Sequence, residues 1–151
     1  VSSALTLAGP EHLKVLLPLV AAFHKEEGIT STPEDRQAAL QPLLEGIPHG
    51  AAYLIGPARS PIGYIVISFG WSVEFGGLDG LIDELYIRRA VRGRGIASSV
   101  LSNLPRALAG AGLKALHLEV ATDNGAAANL YRKNGFEVRG GFHLMSRKLS
   151  R

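Results

Sequence analysis

The 151-residue chain contains no cysteine, and only one methionine and one tryptophan. Without cysteine there is no disulfide framework, no thiolate zinc site and no cysteine nucleophile; the redox compartment is left open, though the absence is compatible with the cytosol. A long uninterrupted apolar run is also missing. The best stretch, Leu13 to Ala22, is broken by Lys14 and Pro18, follows Glu11 and His12, and has no basic segment before it. It reads as neither a membrane span nor a secretory leader, so a cytoplasmic protein without a membrane partner is expected. The start at Val1 rather than Met is consistent with a processed or trimmed end.

Other absences narrow the chemistry. The five histidines, His12, His24, His49, His117 and His143, include no pair four residues apart and have no cysteine companions, so no metal site is expected. The phosphate loop Gly-x4-Gly-Lys-Ser/Thr is absent, the dinucleotide fingerprint fails at Ser98, and Ser98-Ser99 do not sit in a nucleophile elbow. No repeat, low-complexity tract or linker divides the chain, which implies one domain over residues 1–151.

What is present begins with enough apolar material for a core: 46% of residues are hydrophobic, which excludes disorder as a description of the whole chain. Charge is distributed unevenly. Residues 1–87 hold ten acids against four bases and residues 88–151 three against twelve, so −6 is followed by +9. Such an asymmetry suits a protein that holds a polyanion with one part and offers carboxylates with another.

Leu5 and Leu7 alternate with polar neighbours as a first strand, and Gly9-Pro10 opens a helix over 10–27 that Pro18 should kink. Ser31 or Thr32 caps a second helix over 33–45. Ala51 to Ile55 and Ile62 to Trp71 form a hairpin around Gly56-Pro57, and Leu81 to Arg88 is the next strand. Ile96, Ala97, Val100, Leu101, Leu104 and Leu108 then follow helical spacing, with a bend expected at Pro105. Ala115 to Val120 is a strand, Asp123 or Asn124 caps a helix to Asn134, and Gly135 ends it. Phe136 to Arg139 and Phe142 to Lys148 read as two closing strands. The order β-α-α-β-β-β-α-β-α-β-β predicts a single-domain α/β fold with a mixed sheet and flanking helices.

The most informative stretch places Arg88, Arg89, Arg92 and Arg94 within seven residues, interleaved with Gly93 and Gly95, between a strand and a helix. Glycines at such a turn let backbone N–H groups approach a ligand, and the helix start adds unpaired donors and a positive dipole end. A phosphate or pyrophosphate is the natural guest.

Arg92-Gly93-Arg94-Gly95-Ile96-Ala97 resembles the Gln/Arg-x-x-Gly-x-Gly/Ala segment of the GCN5-related N-acetyltransferases. Glu84-Leu85-Tyr86-Ile87 is similar to the fourth strand of that family, and Asn124-x-x-Ala127-x-x-Leu130-Tyr131 followed by Gly135-Phe136 resembles its second signature. Alanine at 97 departs from the commoner glycine. The likeness spans residues 62–149 by motif and 1–61 only by element order.

The resemblance implies acetyl-CoA as cofactor, its pyrophosphate held by the backbone of Arg92, Gly93, Arg94, Gly95, Ile96 and Ala97 and by Ser98. It implies that Leu85, Tyr86 and Ile87 pair with the pantetheine arm, that Asn124 contacts that arm or the adenosine side, and that Tyr131 is the general acid for the departing thiolate. Acetyl transfer to an amine also needs a proton acceptor. Glu84 and Glu119 rank equal for that role, the latter by resemblance to ribosomal-protein N-acetyltransferases, with Asp83 behind. Strand parity predicts that only one of Asp83 and Glu84 faces the substrate.

The acceptor side carries no shared motif. Phe23, His24 and Glu27 at the end of the first helix, with Trp71, Glu74 and Asp83, combine rings and carboxylates in a way that suits a cationic amine, small or peptidic. The stretch of residues 68–84 loosely resembles the diamine and polyamine branch. The expected activity is direct transfer of acetyl to a primary amine in a ternary complex. A non-catalytic acyl-CoA-binding module and an RNA-directed protein, including one that acetylates aminoacyl-tRNA, are the alternatives. The lack of a basic strand rich in aromatics weighs against nucleic acid. A homodimer is expected by resemblance alone.

Overall fold

The computed structural model describes residues 4–150. A five-stranded sheet runs in the order β1 (Leu5–Leu7), β2 (Gly50–Ile55), β3 (Gly63–Ser72), β4 (Gly77–Ile87) and β5 (Ala115–Leu118). The first four strands are antiparallel to their neighbours, whereas β5 lies parallel to β4. Two helices, α1 (Leu13–Glu27) and α2 (Pro33–Gly46), cover one face, and α3 (Ile96–Gly110) and α4 (Gly125–Lys133) the other. The single-domain α/β architecture with a mixed sheet agrees with expectation. No helix among the described residues is long and apolar enough to cross a membrane.

Each helix shows why it forms. In α1, Leu16, Leu19 and Val20 fall on one stripe and are buried; in α3, Ile96, Val100, Leu101, Leu104 and Leu108 do the same. Both run on through their internal prolines, Pro18 and Pro105. Thr32, rather than Ser31, caps α2: its hydroxyl accepts from the Asp35 N–H at 3.1 Å while the Asp35 carboxylate accepts from the Thr32 N–H at 3.0 Å. Those bonds hold the Asp35 carboxyl below its ordinary pKa, and the charge of Lys148 adds a little. Asn124 caps α4 by accepting from the Ala127 N–H at 3.1 Å.

β4 begins at Gly77, four residues before the periodicity suggested, and β5 ends at Leu118. Within β4 the pairing slips: Val66 opposes Glu84 and Ile67 opposes Ile82, leaving Asp83 as an extra residue, a β-bulge. The ladder between β4 and β5 stops at the same place, with Ile82 against Leu118. Beyond it, no strand among the described residues pairs with residues 83–87 on that side.

The two closing strands expected from Phe136 to Arg139 and from Phe142 to Lys148 are not formed. Phe136 packs edge-on against Tyr131, but Val138, Phe142, Leu144 and Met145 are exposed. Their alternation carries strand propensity, which becomes a strand only where a neighbouring backbone supplies ladder bonds.

Candidate active site

The turn into α3 is shaped by Gly93 and Gly95, both in the left-handed region at φ +77° and +78°. Gly95 is also the residue before the helix, so no side chain caps it. Among the described residues, none of the backbone N–H groups from Gly93 to Ser98 donates to a protein acceptor. This is a row of donors at a positive helix end, a setting for an anion. They border a cavity of about 410 Å³.

The same cavity is lined by Leu85, Tyr86 and Ile87 from β4, by Arg92, Ile96, Ala97 and Ser98, and by Asn124 and Tyr131. Every residue expected at the cofactor thus lies on one surface except Arg94. Asn124 and Tyr131 share this surface because seven residues span about two helical turns. The Arg92 side chain is committed elsewhere: it donates to the Ile87 carbonyl at 2.8 Å, pairs with Glu26 at 2.7 Å and lies 5.5 Å from the Tyr86 ring centre. It fastens the turn to the end of α1.

Tyr131 sits half-buried between this cavity and a groove beside β5. Burial, and then the nearby Glu27 carboxylate, raises its pKa above the ordinary phenol value. The phenol therefore keeps its proton at neutral pH and can donate it.

A second cavity, about 400 Å³, opens between α1, α2 and the sheet. Its walls include Val20, Leu40, Leu43, Ile47 and Val66, and at one end His24, Asp83 and Glu84. A hydrogen-bonded chain organises that end. Tyr64, fully buried, donates to Glu84 Oε1 at 2.8 Å; Glu84 Oε2 meets His24 Nε2 at 2.7 Å; His24 Nδ1 meets the Ser31 hydroxyl at 2.7 Å. Arg36 donates to that hydroxyl oxygen at 2.9 Å, so the Ser31 proton is free to point at Nδ1. Burial and the Glu84 charge push the Tyr64 pKa up, so Tyr64 stays a donor.

Strand parity fails at this point. The bulge lets adjacent Asp83 and Glu84 both line the second cavity, while Ile82 joins the core under α3. Partial burial, Glu84 and Glu119, in that order, raise the Asp83 pKa. Glu119 itself is exposed beyond the end of β5 and lines neither cavity.

Of the residues expected at the acceptor, His24 and Asp83 line the second cavity and Phe23 and Glu27 line the first. Trp71 and Glu74 are not brought to either. Trp71 is 75% exposed, and Glu74 is paired with Arg139 at 2.7 Å. They sit at the turn end of the β3–β4 hairpin, where Trp71 opposes Leu78, five residues along β4 from Asp83. Sequence reasoning missed Tyr64, Ser31 and Arg36, whose only signal is partnership across tens of residues.

The family model described as Acetyltransferase (GNAT) family matches residues 20–136. Among solved structures, an integron cassette protein from the mobile metagenome of Cole Harbour Salt Marsh is 28% identical, with 97% of this chain and 91% of that one covered and a TM-score of 0.82. An aminoglycoside acetyltransferase from an uncultured soil metagenomic sample is 22% identical over 99% and 100% of the chains, with a TM-score of 0.78. A ribosomal-protein-alanine N-acetyltransferase from Brucella melitensis biovar Abortus is 17% identical over 97% and 100%, with a TM-score of 0.76. None of the curated proteins matches. Nothing in these likenesses singles out a polyamine branch.

Proposed function

The chain belongs to the acetyltransferase (GNAT) family, and from that premise we propose that it is an acetyl-CoA-dependent N-acetyltransferase acting directly on a primary amine in a ternary complex. One observation carries the reading: the two cavities meet on β4, where Asp83 and Glu84 line one and the next three residues line the other. A row of unengaged N–H donors and a pair of carboxylates therefore flank a single short stretch of strand.

The family uses acetyl-CoA, and the donor set fits its diphosphate: backbone N–H groups from Gly93 to Ser98 at the positive end of α3. When bound, acetyl-CoA supplies the activated acyl group. Leu85 to Ile87 present an unpaired backbone edge beyond the last rung with β5, which suits strand-like pairing with an extended chain.

In the acceptor cavity the carboxylates attract an ammonium, and its apolar walls suit an amine carried on an apolar body. Glu84 takes the proton that the amine must lose before attack, and its bonds to Tyr64 and His24 hold the carboxylate in place. Asp83, which lines the same end of the cavity outside that hydrogen-bonded chain, holds and orients the amine. Tyr131 returns a proton to the leaving thiolate.

The test is release of free CoA across a panel of amines, with Glu84→Gln and Tyr131→Phe as controls. Turnover with an arylalkyl or alkyl amine, lost in both variants while CoA still binds, is the expected result. CoA binding with no turnover for any amine would reduce the protein to a binding module.

A further inference from the structure

The cavity under α1 and α2 holds a cation that the proposed reaction does not use. Arg36, half-buried near the start of α2, lines it. The Arg36 Nη1 donates to the Ser31 carbonyl at 2.7 Å and to the Ser31 hydroxyl at 2.9 Å. Among the described residues, its Nε and Nη2 have no protein acceptor and no carboxylate forms an ion pair with it. The adjacent Asp35 carboxylate is bonded to the Thr32 N–H instead.

A guanidinium partly withdrawn from water is ordinarily paired. The Nε–Nη2 edge is one of the two-pronged faces that meet a carboxylate through parallel N–H···O bonds. The bonds to Ser31 hold the group from its other side and leave that edge for a ligand.

Placement narrows which ligand. Ser31 meets His24 at 2.7 Å, and His24 meets Glu84 at 2.7 Å. One hydroxyl and one imidazole thus separate the guanidinium from the Glu84 carboxylate, a path of about 10 Å. An α-amino acid has its nitrogen and carboxylate oxygens about 3 Å apart, and a hydrogen bond at each end extends this to about 8–9 Å. Its ammonium can then sit at Asp83 and Glu84 while its carboxylate meets Arg36.

The remaining wall is apolar: Val20, Leu40 and Val66 are buried in it, and Leu43 and Ile47 add to it. A volume of about 400 Å³ is in the range for one small molecule. A diamine fits this layout badly, because its second ammonium would face a guanidinium across apolar surroundings.

On the reading of this cavity as the acceptor site of an N-acetyltransferase, we infer that the acceptor is a free α-amino acid with a large apolar side chain, and that Arg36 selects for its carboxylate. The ammonium nitrogen loses one proton to Glu84 before attack and a second after it. That nitrogen bonds to the acetyl carbon as the C–S bond breaks, and Tyr131 supplies a proton to the thiolate. The products are an N-acetylamino acid, free CoA and one proton.

Steady-state acetylation of two matched pairs tests this: L-phenylalanine against 2-phenylethylamine, and L-leucine against 3-methylbutylamine. Each pair differs by the carboxylate. In the native chain kcat/KM should be about tenfold or more higher for the amino acid of each pair. Arg36→Met should lower the amino-acid to amine ratio by about tenfold or more, through KM, and Arg36→Lys should restore part of it. Because the two amines are also the stronger bases, the change in ratio on substitution, rather than the ratio itself, reports the guanidinium. An equal loss on both members of a pair would make Arg36 a support for the Ser31–His24 contact and overturns the inference. So does a native chain that acetylates the amines as well as the amino acids, a result that leaves the acetyltransferase reading intact. CoA binding without acetylation of any of the four compounds would instead sink that reading, and this inference with it.

Discussion

The two cavities that meet on β4 are built from different materials. The one around the α3 turn presents main-chain N–H groups, set by two left-handed glycines and a helix start. The one under α1 and α2 presents side chains, tied in a relay from Tyr64 through Glu84 and His24 to Ser31. A main-chain site tolerates exchange of side chains and is vulnerable to changes of backbone conformation. A side-chain relay has the opposite weakness. Binding should therefore fail through glycines, and chemistry through carboxylates and hydroxyls.

Glu84→Gln is the sharpest test of that division. It should lower kcat by about 10²- to 10⁴-fold, the usual worth of a general base, and leave the Kd for CoA within about twofold. A parallel loss of CoA affinity would mean that the cavities are not separable. Tyr131→Phe should lower kcat by about 10²-fold in the same assay. Its raised pKa has a further consequence: a donor must be protonated, so kcat for the native chain should show no basic limb due to this group below about pH 10.

Gly95→Val attacks the other side. Forcing a branched residue to φ +78° costs of order 1–3 kcal/mol, so the Kd for CoA should rise about 5- to 150-fold by calorimetry. With saturating cofactor, kcat should change little.

Asp83→Asn probes the join between the two. The raised pKa of Asp83 makes it lose charge at a higher pH than an ordinary aspartate as the solution is acidified. The acid limb of kcat/KM should accordingly move to lower pH in the variant, with a rise in KM for the amine of about tenfold. The smallest effect belongs to Thr32→Ala, which removes the α2 cap. A loss of about 1 kcal/mol in denaturant unfolding, with unaltered CoA affinity, is expected.

The same contrast decides which features are legible in the sequence alone. The main-chain cavity draws most of its residues from 85–98 and 124–131, two contiguous runs whose glycine spacing and helical period are local signals. All but Arg94 of the residues expected there line it. The relay joins His24 to Glu84 across sixty positions, and no local pattern encodes such a partnership. Composition groups Trp71 and Glu74 with the acceptor, yet both sit at the turn end of the β3–β4 hairpin and line neither cavity. Phe142 to Lys148 has the alternation of a strand, but alternation specifies a face and not a partner, so the segment stands exposed in the single chain.

Delete the codon for residue 83 and the ladder would lose its slip: Ile82 and Glu84 would become true neighbours, each still on its present side, opposite Ile67 and Val66. If the bulge serves the proposed site and not the sheet, a chain shortened by that one position should melt near the temperature of its parent while holding its amine poorly.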